Sequence, residues 1–141
     1  MTTSPIGRWW GNLFVRAGTV ALASSLLFVF SFPYRTDYVG HYLAGFAGTL
    51  LLLSGLVAVG PPRVDMPALV IGLVAIGMGW ATESTIFKLA IFDPVDFVNQ
   101  SLGAMIAVLV VLGEKPRVRT GLGLSAFAFL LLIVAFSLAF A

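Results

Sequence analysis

Eight side chains capable of polar chemistry cluster in an otherwise apolar sequence: Asp37, His41, Glu83, Lys88, Asp93, Asp96, Asn99 and Gln100. Carboxylates and a histidine held away from bulk water can move protons or grip a polar ligand. Glu83 poses the question most sharply. It interrupts GLVAIGMGWATESTIFKLAIF, residues 72–92, a run that otherwise reads as soluble in lipid. An acid such as Asp at the centre of a spanning helix costs ~2.5–3.5 kcal/mol on translocon scales. Glu83 falls near the end of its run and bears less than that, yet it still needs a partner or a purpose.

The other members have simpler explanations to set beside a functional one. Asp37 and Asp93 precede apolar runs and could serve as helix N-caps, each worth ~1 kcal/mol. Asp96 falls in a first turn, where the helix dipole favours a carboxylate. Lys88 can extend its ammonium to the headgroup region. His41 can act as an interfacial hydrogen bonder, and Glu83 can bond to His41 or Thr85.

These groups are carried by a chain of 141 residues that is 60% hydrophobic and 10% charged, with mean hydropathy +1.05. A soluble domain has about 25% charged residues, so the composition is that of a membrane protein. Five apolar runs approach the roughly 20 residues needed to span a bilayer: Leu13–Phe32, Tyr38–Val59, Pro67–Leu89, Val95–Leu112 and Gly121–Phe140. Proline or charge breaks the chain between them. Nothing alternates like a barrel strand, so an all-α bundle of five transmembrane helices forming one domain over 1–141 is expected. The first run is too long for a signal-peptide core and lacks a small-residue cleavage site before Pro33, so it reads as a retained span. There is no cysteine, and the net charge of +2 is too small to suggest nucleic acid.

Charge placement predicts orientation. Arg8, Arg16, Arg63, Lys115, Arg117 and Arg119 fall on one side, while only Arg35 and Lys88 fall on the other. The positive-inside rule puts the N-terminus in the cytoplasm and the C-terminus outside. Trp9 and Trp10 then suit an inner aromatic belt, and Tyr34, Tyr38 and Tyr42 an outer one. Asp65 and Glu114 read as solvated loop charges on the inner side. All the remaining acids fall at the outer ends of spans two, three and four.

Helical spacing places these acids on stripes of small residues. Asp37, His41, Ala44 and Gly48 share a face of span two. Gly72, Ala75, Gly79 and Glu83 share one on span three, and Asp96, Gln100, Gly103 and Ala107 one on span four. Small residues at this spacing let backbones approach closely in lipid. Three such seams, packing through Gly48, Gly79 and Gly103, would bring the polar tips into one pocket. Spans one and five carry no ionisable group in their middles and are expected outside, facing lipid.

DYVGHYLAGFAGTLL and WATESTIFKLAIFDPVDFVNQSLGAMIAVL resemble the VanZ-like family of small membrane proteins over about residues 35–110. That family opens one span with Asp-Lys-x-x-His and carries Glu-x-x-Gln late in the next. An Arg then precedes Asp-x-x-x-Asn-x-x-Gly at the start of the third. Asp37 and His41 match the first element, Glu83 the second, and Asp96 with Gly103 the third. Tyr38 replaces the family Lys, Ile86 the Gln, and Gln100 the Asn, with Asn99 one position early. The Arg has no counterpart near Ala90–Ile91, where Lys88 is the nearest base. An anionic group gripped by that Arg would here be gripped differently or not at all. The resemblance implies a place in the cell envelope, in a bacterial cytoplasmic membrane, and a link to glycopeptide (teicoplanin) resistance.

Two functions follow. In the first, the protein acts on, or binds, a lipid-linked or wall-associated ligand at the outer leaflet. Glu83 would be the general acid or base, with His41 as its proton partner oriented by Asp37. Asp96 and Gln100, with Asn99, Asp93 and Lys88 nearby, would hold a polar headgroup or a divalent cation. The chain has no HExxH or two-histidine spacing, so a metal is the lesser reading. G-x-S-x-G, Walker and G-x-G-x-x-G motifs are missing too, and the sequence leaves the cofactor open. In the second, the chain is a non-enzymatic structural or assembly subunit whose polar cluster locks helices together. A proton path is disfavoured, because the inner halves of spans two to four hold nothing titratable.

Overall fold

Long apolar runs have few ways to satisfy their backbone in lipid, and this chain takes the helical one. The computed structural model describes residues 12–85 and 92–140, which form five helices and no strand. These are α1 (Leu13–Ser31), α2 (Thr36–Val59), α3 (Asp65–Thr85), α4 (Pro94–Val111) and α5 (Val118–Ala139). Each is long and apolar enough to cross a membrane. Their outward faces carry large bare side chains, such as Leu22, Phe30, Leu73 and Leu130. An exposed hydrocarbon surface of this extent suits a bilayer and not water, so the chain is an integral membrane protein. The stretch of span three expected to reach Leu89 lies outside the described residues, as do Arg8, Trp9, Trp10 and Lys88.

Local chemistry sets the ends. The Asn12 side chain caps α1, accepting from the Phe14 amide at 3.0 Å. Asp93 caps α4, accepting from the Val95 amide at 2.8 Å, with Pro94 at a first-turn position that needs no donor. Pro67 likewise falls in the first turn of α3. Gly113 turns the chain after α4 with φ +78°, a conformation that L side chains rarely adopt.

α2 is the hub. Its outward sides are the most completely covered of the five, and it packs against all four neighbours. Small residues distributed around its circumference explain why. A Cβ at Gly40 would strike the backbone of Ala139 in α5, and one at Gly45 the backbone of Gln100 in α4. From the other side, a Cβ on Gly103 would strike the Tyr42 carbonyl, and one on Gly121 the Ala58 backbone. Close backbone approach is the main source of helix attraction where lipid tails are as apolar as leucine.

Three expectations change. Span five keeps most of its surface toward lipid, as expected, but it is not peripheral to the packing: α5 lies antiparallel along α2, more intimately than any other pair. Its small residues Gly121, Ala128 and Ala135 are buried toward the bundle. Gly48 is not a packing point, since a Cβ there would meet nothing within 4 Å; Gly45 is the residue that lets α4 in. Tyr42 is fully buried rather than part of a belt. It stacks on Phe28 with centroids 4.9 Å apart and donates to Ser24 Oγ at 2.7 Å, tying α1 to α2.

The end of the bundle holding Arg16 and Glu114 is fastened by polar contacts. Arg16 pairs with Glu114, Gly113 N–H donates to Asp65 at 2.8 Å, and Arg117 N–H donates to the Val57 carbonyl at 2.6 Å. Asp65 and Glu114 therefore join elements, where solvated loop charges were expected.

Candidate functional site

At the opposite end, where α2 and α4 begin and α3 and α5 finish, the bundle opens into a cleft of about 390 Å³. Its polar lining is His41 from α2, Thr82 and Glu83 from α3, and Asp96 and Gln100 from α4. The opposite wall comes from α5, with Leu132, Phe136, Ala139 and Phe140. Polar groups on one side and hydrocarbon on the other give the cleft an amphipathic cross-section.

Its geometry follows from the backbone contacts described above. Gly45 and Gly103 let α2 and α4 touch, which brings the first turn of α4 beside the second turn of α2. His41 Nε2 then lies 3.4 Å from Asp96 Oδ2. That distance is long for a hydrogen bond, and both side chains keep about a fifth of their surface exposed to the cleft (22% and 17%). Asp96 Oδ1 is buried with no partner among the described residues. Gly79 makes room for the Gln100 side chain, whose carboxamide lies 3.1 Å from where a Cβ would stand. Glu83 lines the same cleft and makes no hydrogen bond to any described residue. The Thr82 hydroxyl donates to the Gly79 carbonyl at 2.9 Å, leaving its oxygen lone pairs available.

The remaining sequence candidates lie elsewhere. Asp37 does not orient His41: Arg35 takes it in a bidentate grip, Nε at 3.0 and 3.2 Å and Nη2 at 2.7 Å. The same guanidinium sits 3.9 Å above the Tyr38 ring, and the hydrogen bond to Asp37 raises its pKa further above the ordinary value. Asp93 acts as a helix cap and does not line the cleft. Asn99 is buried within the bundle, its Nδ2 without a partner among the described residues. Lys88 lies outside the described residues. The structure thus brings together His41, Glu83, Asp96 and Gln100, and leaves Asp37, Asp93 and Asn99 apart from them.

Sequence reasoning missed the α5 wall. The selection looked for ionisable groups, and α5 has none beyond Arg119 near its start. The seven-residue spacing of Gly121, Ala128 and Ala135 was the available sign that this helix turns a small-residue face inward.

The cleft can position a proton-transfer pair beside a carboxylate, or accept hydrogen bonds from a polar headgroup. Among the described residues, no three His, Asp or Glu side chains converge closely enough to hold a metal ion. No family model, curated protein or solved structure matches this chain.

Proposed function

We propose that the protein is a VanZ-like envelope protein that holds the polar part of a lipid-linked or wall-associated ligand at the outer membrane face. The observation that carries this reading is the set His41, Glu83, Asp96 and Gln100 around one cleft, with a hydrocarbon wall from α5. A ligand with a polar head and an apolar tail fits such a lining; a wholly polar solute would desolvate against Phe136 and Phe140 without compensation. Glu83 is the general acid or base, or the acceptor for the head, and His41, held by Asp96, is its companion. What supports an outward position of the cleft is the excess of basic residues expected at the opposite end of the bundle.

The rival reading, a cluster that only clasps helices together, gains little from the geometry. The His41–Asp96 contact in the cleft joins α2 to α4, which glycine contacts already bring together. Glu83 clasps no described residue. The test is a glycopeptide-tolerance assay in cells that carry Glu83→Gln, His41→Ala or Asp96→Asn. Loss of tolerance with normal membrane levels supports the ligand site; wild-type tolerance in all three variants overturns it.

A further inference from the structure

A second cavity continues from the floor of the cleft. It measures about 230 Å³, shares Ala44, Thr82 and Gln100 with the cleft, and runs between α2 and α3 past Gly48 and Ala75 to Leu52. Below that shared neck Thr49 is its only polar side chain. Gly48 forms part of its floor and has open space above it. Leu52 and Met78 at its rim are about half exposed (46% and 55%), so the groove opens sideways between the two helices.

Such a groove has few candidate occupants in a bilayer. Buried water needs two to four polar partners, and this stretch offers almost none. An unfilled void forfeits dispersion contacts on every wall, so a lipid chain is the occupant whose chemistry suits it. The eleven steps from His41 to Leu52 rise about 16 Å along the helix. That is close to half of a hydrocarbon core ~30 Å thick, the depth of one leaflet. The head of a lipid so placed would lie in the cleft, where the charged groups among the described residues are two carboxylates and one histidine. Arg35, the guanidinium at this end, is already engaged by Asp37. The cleft therefore offers mainly acceptors and negative charge, and it suits a head that brings N–H donors and positive charge.

We infer that cleft and groove form a single lipid site, which takes a phospholipid with a primary ammonium headgroup and lays one acyl chain along Gly48 to Leu52. This rests on the reading of the cleft as a ligand site and names the ligand's chemistry and the path of its tail.

The experiment measures retention of lysophosphatidylethanolamine and lysophosphatidylglycerol, matched in chain, by purified full-length protein in native mass spectrometry. The two probes share phosphate and tail and differ in the ammonium. Wild type should retain one ethanolamine lipid in preference to the glycerol lipid, and long chains over short ones. Gly48→Leu puts bulk into the groove from a position where an added Cβ meets nothing within 4 Å, and should cut long-chain retention about tenfold while sparing the short chain. Ala75→Leu, from the opposite wall, should do the same should Gly48→Leu prove unstable. Gly77→Leu, equally open but outside the groove, should behave as wild type. Glu83→Gln should erase the ethanolamine preference. Unchanged long-chain retention in both groove variants overturns the chain path, and the cleft reading survives this if Glu83→Gln still acts. Equal retention of both headgroups by wild type, with no effect of Glu83→Gln, overturns the headgroup assignment and the cleft reading together.

Discussion

Two acids in this cleft have different neighbours, and the difference sets what each substitution should do. Asp96 touches His41, so Asp96→Asn should cost about 1 kcal/mol at most, the scale of one modest hydrogen bond. Thermal unfolding in detergent would read this as a small drop in midpoint. Glu83 makes no hydrogen bond or ion pair to any described residue, so its carboxylate is not expected to help hold the bundle. Glu83→Leu should leave the unfolding midpoint unchanged or higher, because it removes a half-buried carboxylate that has no hydrogen-bond partner among the described residues. Glu83→Gln should match it in stability, and both should lose glycopeptide tolerance. A clasp would give the opposite pattern, with Gln tolerated and Leu destabilising. Sequence reasoning reached Glu83 because a carboxylate in an apolar run stands out from its neighbours. It paired His41 with Asp37 because helical spacing shows only contacts within one helix. The actual partner, Asp96, comes from another helix, and Arg35 lies two residues before Asp37 in a loop, where no periodicity reveals a contact.

At the level of helices, position around α2 decides which glycine bears load. Gly45→Ala and Gly103→Ala each push a methyl into the backbone of the facing helix. Neither can yield cheaply, and overpacking of this kind costs ~1–3 kcal/mol. Gly48→Ala meets open space and should be neutral or gain up to about 1 kcal/mol through helix propensity. Unfolding midpoints for the three variants check this directly; a Gly48→Ala midpoint as low as that of Gly103→Ala would mean that α3 packs against α2 there. The five spans were legible because hydropathy and length suffice to find them. The seams were legible in part. Stripes chosen to include Asp37 and His41 led to Gly48 on the same face, whereas Gly45 lies about 60° away from Gly48 around the helix. Which of two nearby glycines meets a neighbour depends on the rotation of α2, and that is set by the combined packing of four other helices.

The whole molecule has two dissimilar ends, and orientation determines which one faces the envelope. One end is cross-tied by Arg16–Glu114, by Asp65 to Gly113, and by Arg117 to Val57. The other opens into the cleft, with α5 as one wall. Removing α5 by truncation after Arg119 should therefore do more than delete a lipid-facing helix. It would bare Gly40 and Ala58 on α2 and remove the apolar side of the cleft, so such a chain should lose folded yield in detergent and all headgroup preference. Among the described residues, five of six basic side chains, all but Arg35, fall at the tied end. The positive-inside rule predicts that this end lies in the cytoplasm, the N-terminus with it, and that the C-terminus lies outside. A phosphatase fused after Ala141 should be active, since it works only when exported, and a fluorescent protein that matures only in the cytoplasm should stay dark there. The reverse pattern would turn the cleft toward the cytoplasm. Every contact within it would be unchanged, but its lipid would then come from the inner leaflet and the link to an external antibiotic would lose its physical basis.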